Sequence, residues 1–139
     1  MDFTAFNAYM VCDDKIKRYQ AGDIQLGYEF KCKYPTYRGA YICNIEELKV
    51  WVDGKEIEKD KMRFGCNNKW FLMSEIPEAY KEYWFTGSKA TIRILDENGI
   101  SSGEHTVKMF MKHKIPYTGY FGNYLVVDSE CEKTLSVEE

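Results

Sequence analysis

The residue types that carry most enzyme chemistry are few and widely spaced in this sequence. His105 and His113 are the only histidines, and the alternating pattern around them places both on one strand. At about 3.4 Å per residue they would lie about 27 Å apart, too far to share a metal ion or pass a proton directly. His105 is expected to be a hydrogen-bonded loop residue, because no further ligand has metal-site spacing.

The carboxylates show no acid–base arrangement either. Glu46 and Glu47 are adjacent on a predicted strand, where successive side chains point to opposite faces, so we do not expect them to work as a pair. The sequence contains no nucleophile elbow, phosphate-binding loop or dinucleotide-binding glycine motif. We therefore expect no catalytic residue and no metal site on this chain.

Two aromatic stretches contain residues that are better suited to recognition than to catalysis. Tyr37 and Arg38 combine a flat ring with a guanidinium that has five N–H donors. A second aromatic stretch, punctuated by glycines, covers residues 117–124. Such side chains can line a substrate path, dock against a partner, or simply close one end of the fold. The candidates for a substrate path or partner interface are Tyr37, Arg38, Tyr117, Tyr120 and Phe121.

Alternating strands joined by tight turns must position these loops. Apolar and polar residues alternate over residues 24–32 and again over residues 48–52. Asp53-Gly54 and the pair at residues 67–68 are typical of hairpin turns, and residues 74–83 are the best helix candidate. The pattern predicts an all-β fold, an antiparallel β-sandwich or barrel with at most one short helix.

The same pattern predicts the organisation of the chain and its core. We expect one domain over residues 1–139, with an N-terminal edge segment at 1–20 and a charged tail at 130–139. A one-residue slip of any strand would bury its charged side chains, so the alternation predicts which residues face the core. These are Ile24, Leu26, Tyr28, Phe30, Leu48, Val50, Val52, Ile92, Ile94, Val107 and Met109.

Composition excludes several classes of partner. A net charge of −3 and a pI near 5.5 do not suit binding to nucleic acid or to an anionic membrane. Five cysteines, odd in number and without a C-x-x-C pair, favour free thiols in a reducing compartment. The start of the sequence lacks the basic and apolar segments of a signal peptide, so a cytoplasmic location is expected.

Six sequence motifs carry a family resemblance. They are YPTYRG, IEELKVWVDGKEI, MRFGCNNKWFLMSEIPE, KATIRI, GISSGEHTVKM and KIPY. In this order and spacing, from about residue 22 to about residue 117, the sequence resembles the beta subunit of bacterial C-glycoside deglycosidases. Each motif is weak alone, and their combination is specific.

The resemblance implies an antiparallel, jelly-roll-like β-sandwich for this chain, and a division of labour between two subunits. It implies a larger, barrel-type alpha subunit that carries a divalent metal, typically manganese, and the acid/base residues. The complex would cleave the carbon–carbon bond between a 3-oxo-sugar and a flavonoid-like aglycone by β-elimination. The present chain would be the non-catalytic beta subunit, inactive alone, within a heteromer that binds the 3-oxo C-glycoside.

Two other classes of function remain compatible with the same residues. One is a stand-alone carbohydrate-binding β-sandwich that uses the aromatic residues to hold a sugar. The other is a purely structural subunit without any ligand contact. Binding of free sugar by the isolated chain would favour the first class, and a neighbouring gene for a barrel protein would favour the deglycosidase.

Overall fold

The computed structural model describes residues 5–36, 38–115 and 125–139. In this part of the chain two antiparallel β-sheets stack as a sandwich, which confirms the prediction of an all-β, antiparallel β-sandwich. The strands, numbered in chain order, are β1 (Lys17–Ala21), β2 (Ile24–Lys33), β3 (Ala40–Tyr41), β4 (Ile45–Val52), β5 (Lys55–Glu56), β6 (Met62–Cys66), β7 (Lys69–Leu72), β8 (Tyr83–Trp84), β9 (Lys89–Leu95), β10 (Glu104–Ile115) and β11 (Leu125–Ser136).

The order of the strands shows how the two layers are built. One sheet has the order β1-β2-β9-β6-β7, and the other has the order β11-β10-β4-β5. The short strands β3 and β8 pair with each other outside both sheets. Within the described residues, no helix is long and apolar enough to span a membrane.

The two predicted hairpin turns are confirmed by their backbone angles. Asp53 and Gly54 have φ angles of 52° and 81°, and they join β4 to β5. Asn67 and Asn68 have φ angles of 54° and 65°, and they join β6 to β7. Positive φ at both central positions matches the right-handed twist of the strands, so these residues determine where each hairpin reverses.

The predicted core is confirmed with two exceptions at the start of β2. Nine of the eleven predicted residues are buried between the sheets, whereas Leu26 is half-buried and Ile24 is 66% exposed. Ile24 pairs with Ala21 directly beside the turn of the β1–β2 hairpin, so its alternation continues after the strand has left the core. All five cysteines are free, as predicted.

The predicted charged tail at residues 130–139 is wrong, because most of it belongs to β11. This strand pairs with β10 from Leu125 to Ser136. Ser129 and Cys131 face the core, while Glu130 and Glu132 point outwards. Small residues that face the core alternate here with charged residues that face the solvent. The sequence of this half-buried strand therefore resembles that of a solvated segment.

The predicted helix at residues 74–83 is also wrong. The structure has a six-residue 3-10 turn, Met73–Glu78, which begins one residue earlier. The Glu75 carboxylate accepts a hydrogen bond of 2.6 Å from the Leu72 N–H, and this bond caps the start. Pro77 has no N–H to donate, so a short turn forms where a longer helix was expected.

A β-bulge interrupts the alternation of β4 at Glu46 and Glu47. Ile45 and Leu48 are both buried, although strict alternation would place them on opposite faces. The pairing with β10 shifts at this point, since Lys112 is opposite Glu47 and His113 is opposite Ile45. The extra residue is Glu46, and Glu46 and Glu47 border the same crevice instead of pointing to opposite faces as predicted.

Candidate partner-binding surface

The segment around Arg38 is attached to the residues that follow β8. The Thr86 hydroxyl donates a 2.9 Å hydrogen bond to the Thr36 carbonyl, and the Thr36 hydroxyl donates to the Arg38 carbonyl. Gly39 packs so closely that a Cβ atom there would collide with the Trp84 carbonyl oxygen. Arg38 itself is exposed, so its side chain lies on a well-anchored part of the surface.

The β3–β8 pair brings three aromatic rings together beside this segment. The Tyr41 and Tyr83 ring centroids lie 5.1 Å apart, and those of Tyr83 and Phe85 lie 4.8 Å apart, both edge to face. Tyr41 is 46% exposed and Phe85 is 61% exposed. We call Arg38, Tyr41, Tyr83 and Phe85 the aromatic surface.

Aromatic and arginine side chains are the types most enriched among interface residues whose truncation weakens binding. The edge-to-face contacts also limit the rotamers of the rings before any partner arrives, which reduces the entropy lost on association. The aromatic surface therefore has the composition and the order expected of a protein-binding site.

A buried layer supports the aromatic surface from below. Trp84 is fully buried, and its indole N–H donates a 2.9 Å hydrogen bond to the Ser88 carbonyl. The Tyr34 ring packs edge to face against both Trp84 and His113, with centroid distances of 5.3 Å in each case. These contacts connect the start of the Arg38 segment to the centre of the sandwich.

His113 is an uncharged hydrogen-bonding residue of the core. Its Nδ1 lies 3.2 Å from the Tyr34 hydroxyl, and its Nε2 lies 3.0 Å from the Ser129 hydroxyl. Burial lowers the pKa of His113 to about 4, although the nearby Asp128 acts in the opposite direction. At neutral pH the imidazole is therefore neutral, and each ring nitrogen has a hydroxyl group as its partner.

His105 is hydrogen-bonded, as predicted, although it lies in β10 and not in a loop. It connects the start of β10 with two turns. Its Nδ1 lies 2.6 Å from Oδ2 of Asp53, and its Nε2 lies 2.7 Å from the Ser101 carbonyl. The hydrogen bond to Asp53 raises the pKa of His105 and lowers that of Asp53. Asp53 also accepts a 2.9 Å hydrogen bond from the Thr106 N–H.

Only one of the predicted recognition residues can be placed. Arg38 belongs to the aromatic surface, whereas Tyr37, Tyr117, Tyr120 and Phe121 lie outside the described residues. Tyr41, Tyr83 and Phe85 were not among the predicted recognition residues. The available signal was the triplet at residues 83–85, in which a buried tryptophan alternates with two outward rings.

The described residues do not contain a metal site. No three His, Cys, Asp or Glu side chains among residues 5–36, 38–115 and 125–139 are grouped so that they could hold a metal ion. Fold and surface together define a small antiparallel β-sandwich with an exposed aromatic face.

Comparison with known proteins identifies the family. The sequence profile of the C-glycoside deglycosidase beta subunit family matches residues 6–117, so the chain belongs to this family. A C-glycoside deglycosidase beta subunit from Eubacterium cellulosolvens is 32% identical over 82 residues, which is 59% of this chain and 56% of that relative. The match thus spans little more than half the length of this relative.

Two further relatives align over more of their length. A 3'-dehydrocarminate deglycosidase beta subunit from a Microbacterium species is 29% identical over 113 residues, covering 81% of this chain and 85% of the relative. A C-glycoside deglycosidase beta subunit from Arthrobacter globiformis is 23% identical over 108 residues, covering 73% and 82%. All three relatives are named as subunits, and therefore as parts of larger assemblies.

Proposed function

We propose that this chain is the beta subunit of a heteromeric C-glycoside deglycosidase and that the aromatic surface binds the alpha subunit. The observation that carries the proposal is the exposed aromatic surface on a member of a beta-subunit family. Contiguous exposed apolar patches are typical of protein–protein interaction sites, and Tyr41, Tyr83 and Phe85 form such a patch through their ring contacts.

The proposed substrate is a C-glycoside whose sugar has been oxidised to a 3-oxo form. The ketone makes the proton at C2 of the sugar acidic, so a base can remove it. The electron pair of that C–H bond forms a C1–C2 double bond while the bond from C1 to the aglycone carbon breaks. The aglycone carbon takes up a proton, and the sugar leaves as a 1,5-anhydro-enulose.

In this proposal the two subunits have different tasks. The alpha subunit is a barrel-type protein that supplies the acid/base residues and a divalent metal, with manganese as the expected ion. The described residues of the present chain do not contain a ligand set that fits such a metal. The task assigned to the present chain is to assemble with the alpha subunit, through Arg38 and the three aromatic rings.

Co-expression with a barrel protein encoded by a neighbouring gene tests the proposal. The two chains are expected to elute together in size-exclusion chromatography and to cleave a 3-oxo C-glycoside, while the present chain alone does not. The double variant Tyr41→Ser/Phe85→Ser is expected to lose co-elution. Ile24→Ser is the matched control, because it changes a similarly exposed apolar residue that lies far from the aromatic surface.

Two results would contradict the proposal. Turnover of the 3-oxo C-glycoside by the present chain alone would show that it is catalytic. Unchanged co-elution of the folded double variant would show that the alpha subunit binds elsewhere.

A further inference from the structure

A crevice of about 630 Å³ opens along one side of the sandwich. It lies between β4 of one sheet and the open end of the β6–β7 hairpin of the other, away from the hairpin turn. The 3-10 turn Met73–Glu78 borders it. Its volume is within the range of about 300–1,000 Å³ that small-molecule sites occupy. The apolar residues that line it are Ile45, Leu48, Leu72, Met73, Ile76 and Pro77.

Charged side chains of both signs surround this apolar lining. Glu46 and Glu47 lie on the β4 side, where the bulge brings two successive carboxylates to the same crevice. Lys59, in the turn that leads into β6, and Arg63, in β6 itself, also line the crevice. Acceptors and donors of hydrogen bonds are therefore both present around the crevice.

Arg63 is held in place before any ligand binds. Its Nη1 donates hydrogen bonds of 2.9 Å to the carbonyl oxygens of Asp60 and Met62. A guanidinium has five N–H groups in one plane, so the remaining groups have a fixed direction. A donor that is already oriented loses little conformational entropy when it binds a ligand.

The combination selects one class of small molecule. A sugar ring is usually held by stacking on an aromatic side chain, and none of the described lining residues is aromatic. Glu47 is already ion-paired with Lys49 at 3.1 Å, which leaves Glu46, Lys59 and Arg63 among the charged groups that a ligand can engage. A fatty acid has one polar end and could engage only one of them. A flat aromatic molecule with several hydroxyl groups covers the apolar lining, donates to the Glu46 carboxylate and accepts from Lys59 and Arg63.

The crevice also lies close to the aromatic surface. Tyr41 directly precedes the 3-10 turn Ile42–Asn44, and this turn packs against the 3-10 turn that borders the crevice. A ligand in the crevice would therefore lie beside the surface that the alpha subunit is proposed to cover.

We propose that the crevice binds a planar, polyhydroxylated aromatic molecule, the chemical class of the flavonoid-like aglycone. Only the identification of this ligand with the aglycone of the substrate rests on the proposed function. The crevice would give the complex a second contact with the aglycone, separate from the reacting sugar.

Equilibrium dialysis of the full chain against apigenin, a trihydroxylated flavone, tests this proposal. Apigenin is expected to bind, unsubstituted flavone to bind at least about tenfold more weakly, and glucose not to bind. Loss of one hydrogen bond to a charged group corresponds to about a tenfold change in affinity. Arg63→Met should therefore weaken apigenin binding about tenfold.

Leu72→Asp is the second variant, and it places a charge in the apolar lining. Leu72 is 45% exposed, so the substitution should leave the fold intact while lowering apigenin affinity at least tenfold. Ile24→Asp, at a residue that is 66% exposed and remote from the crevice, is the matched control and should bind as the wild type does.

The proposal is overturned if apigenin does not bind, or if folded Leu72→Asp binds it as tightly as the Ile24→Asp control. Loss of alpha-subunit association in Leu72→Asp without any apigenin binding by the wild type would instead assign the crevice to the subunit interface. An active complex whose beta subunit does not bind apigenin would refute the crevice assignment alone. Apigenin binding by a chain that forms no complex would refute the proposed function alone.

Discussion

The hydroxyl group of Tyr34 lies 3.2 Å from Nδ1 of His113, inside the hydrophobic core. Both residues are buried, and His113 reaches Ser129 with its other ring nitrogen. The contact joins the segment that leads to Arg38 with β10 and, through Ser129, with β11. The position of the aromatic surface therefore depends on a histidine that must remain uncharged.

This dependence predicts a loss of stability in mild acid. The pKa of His113 is lowered by burial to about 4 in the folded chain, against 6.5 for an ordinary histidine. Between these values the unfolded chain takes up a proton that the folded chain does not, so stability falls as pH decreases. At about 1.4 kcal/mol per pKa unit, the loss is on the order of 3 kcal/mol and is complete near pH 4.

Urea denaturation of the wild type and of His113→Gln at pH 7, 5.5 and 4.5 measures this effect. Glutamine can hydrogen-bond to Tyr34 and Ser129 but does not titrate, so its free energy of unfolding should depend less on pH. The carboxylates titrate in both proteins, and the difference between the two curves isolates His113. Parallel curves would contradict the prediction.

Arg38→Ala is predicted to weaken association with the alpha subunit. Removing an arginine that anchors an interface typically costs on the order of 2 kcal/mol or more, and activity should fall in proportion to lost assembly. Calorimetric titration of the alpha subunit measures the affinity, and melting of the isolated variant provides the control. Because Arg38 is exposed, the melting temperature should change little. A large drop in melting temperature with unchanged affinity would contradict the interface assignment.

Asp53→Asn is predicted to lower the pKa of His105 towards its ordinary value of 6.5. The main reason is that the hydrogen bond from the imidazole to the Asp53 carboxylate raises this pKa, and an amide cannot favour the imidazolium in the same way. Asparagine tolerates the φ of 52° at this position, so the hairpin turn should remain. NMR titration of the imidazole signals measures the change.

The hydrogen bond between Asp53 and His105 contributes to stability, and this contribution is lost both at high pH and at low pH. The His105 contribution is present below pH 6.5 and is lost as pH rises through the raised pKa. The Asp53 contribution is present above pH 3.8 and is lost as pH falls through the lowered pKa. An unchanged His105 pKa in folded Asp53→Asn would contradict the assigned contact.

Arg93→Lys is predicted to destabilise the outer face of the five-stranded sheet. The Arg93 guanidinium lies 3.9 Å from the Tyr19 ring centroid and 4.0 Å from that of Trp70. It also forms a 2.8 Å ion pair with Glu29. An ammonium group cannot stack on two rings in this way, so the free energy of unfolding should fall by about 1–2 kcal/mol.

Denaturant unfolding followed by circular dichroism measures the Arg93 effect. Lys49→Arg, an exchange of the same two residue types on the other sheet, is the control and should be close to neutral. Equal stability of Arg93→Lys and wild type would show that the two ring contacts contribute little.

The sequence could predict those features that depend on neighbouring residues. Asp53-Gly54 and Asn67-Asn68 need positive φ angles, and this local demand located both turns correctly. The alternation that includes Val107 and Met109 likewise predicted the buried face of β10. The prediction that Ile24 faces the core was wrong, because alternation reflects the pleat of a strand and not where the opposing sheet ends.

Features that depend on contacts between distant segments could not be predicted. The bulge at Glu46 arises from pairing with β10, about 65 residues later in the sequence. The aromatic surface forms because the β3–β8 pair brings Tyr41 and Tyr83 together. Each of these strands is only two residues long, and the sequence of one does not show that it pairs with the other. The crevice exists because two sheets stack, so its lining residues are scattered along the sequence.

The side of the sandwich opposite the crevice joins early and late parts of the chain. Ile16 forms a parallel bridge with Val137, and its N–H donates a 2.8 Å hydrogen bond to the Ser136 carbonyl. Long-range contacts of this kind form slowly, because the intervening loop must be closed first. During synthesis this side must stay open until residue 137 has left the ribosome. A partner that binds the nascent chain before then would meet a sandwich with one side still open.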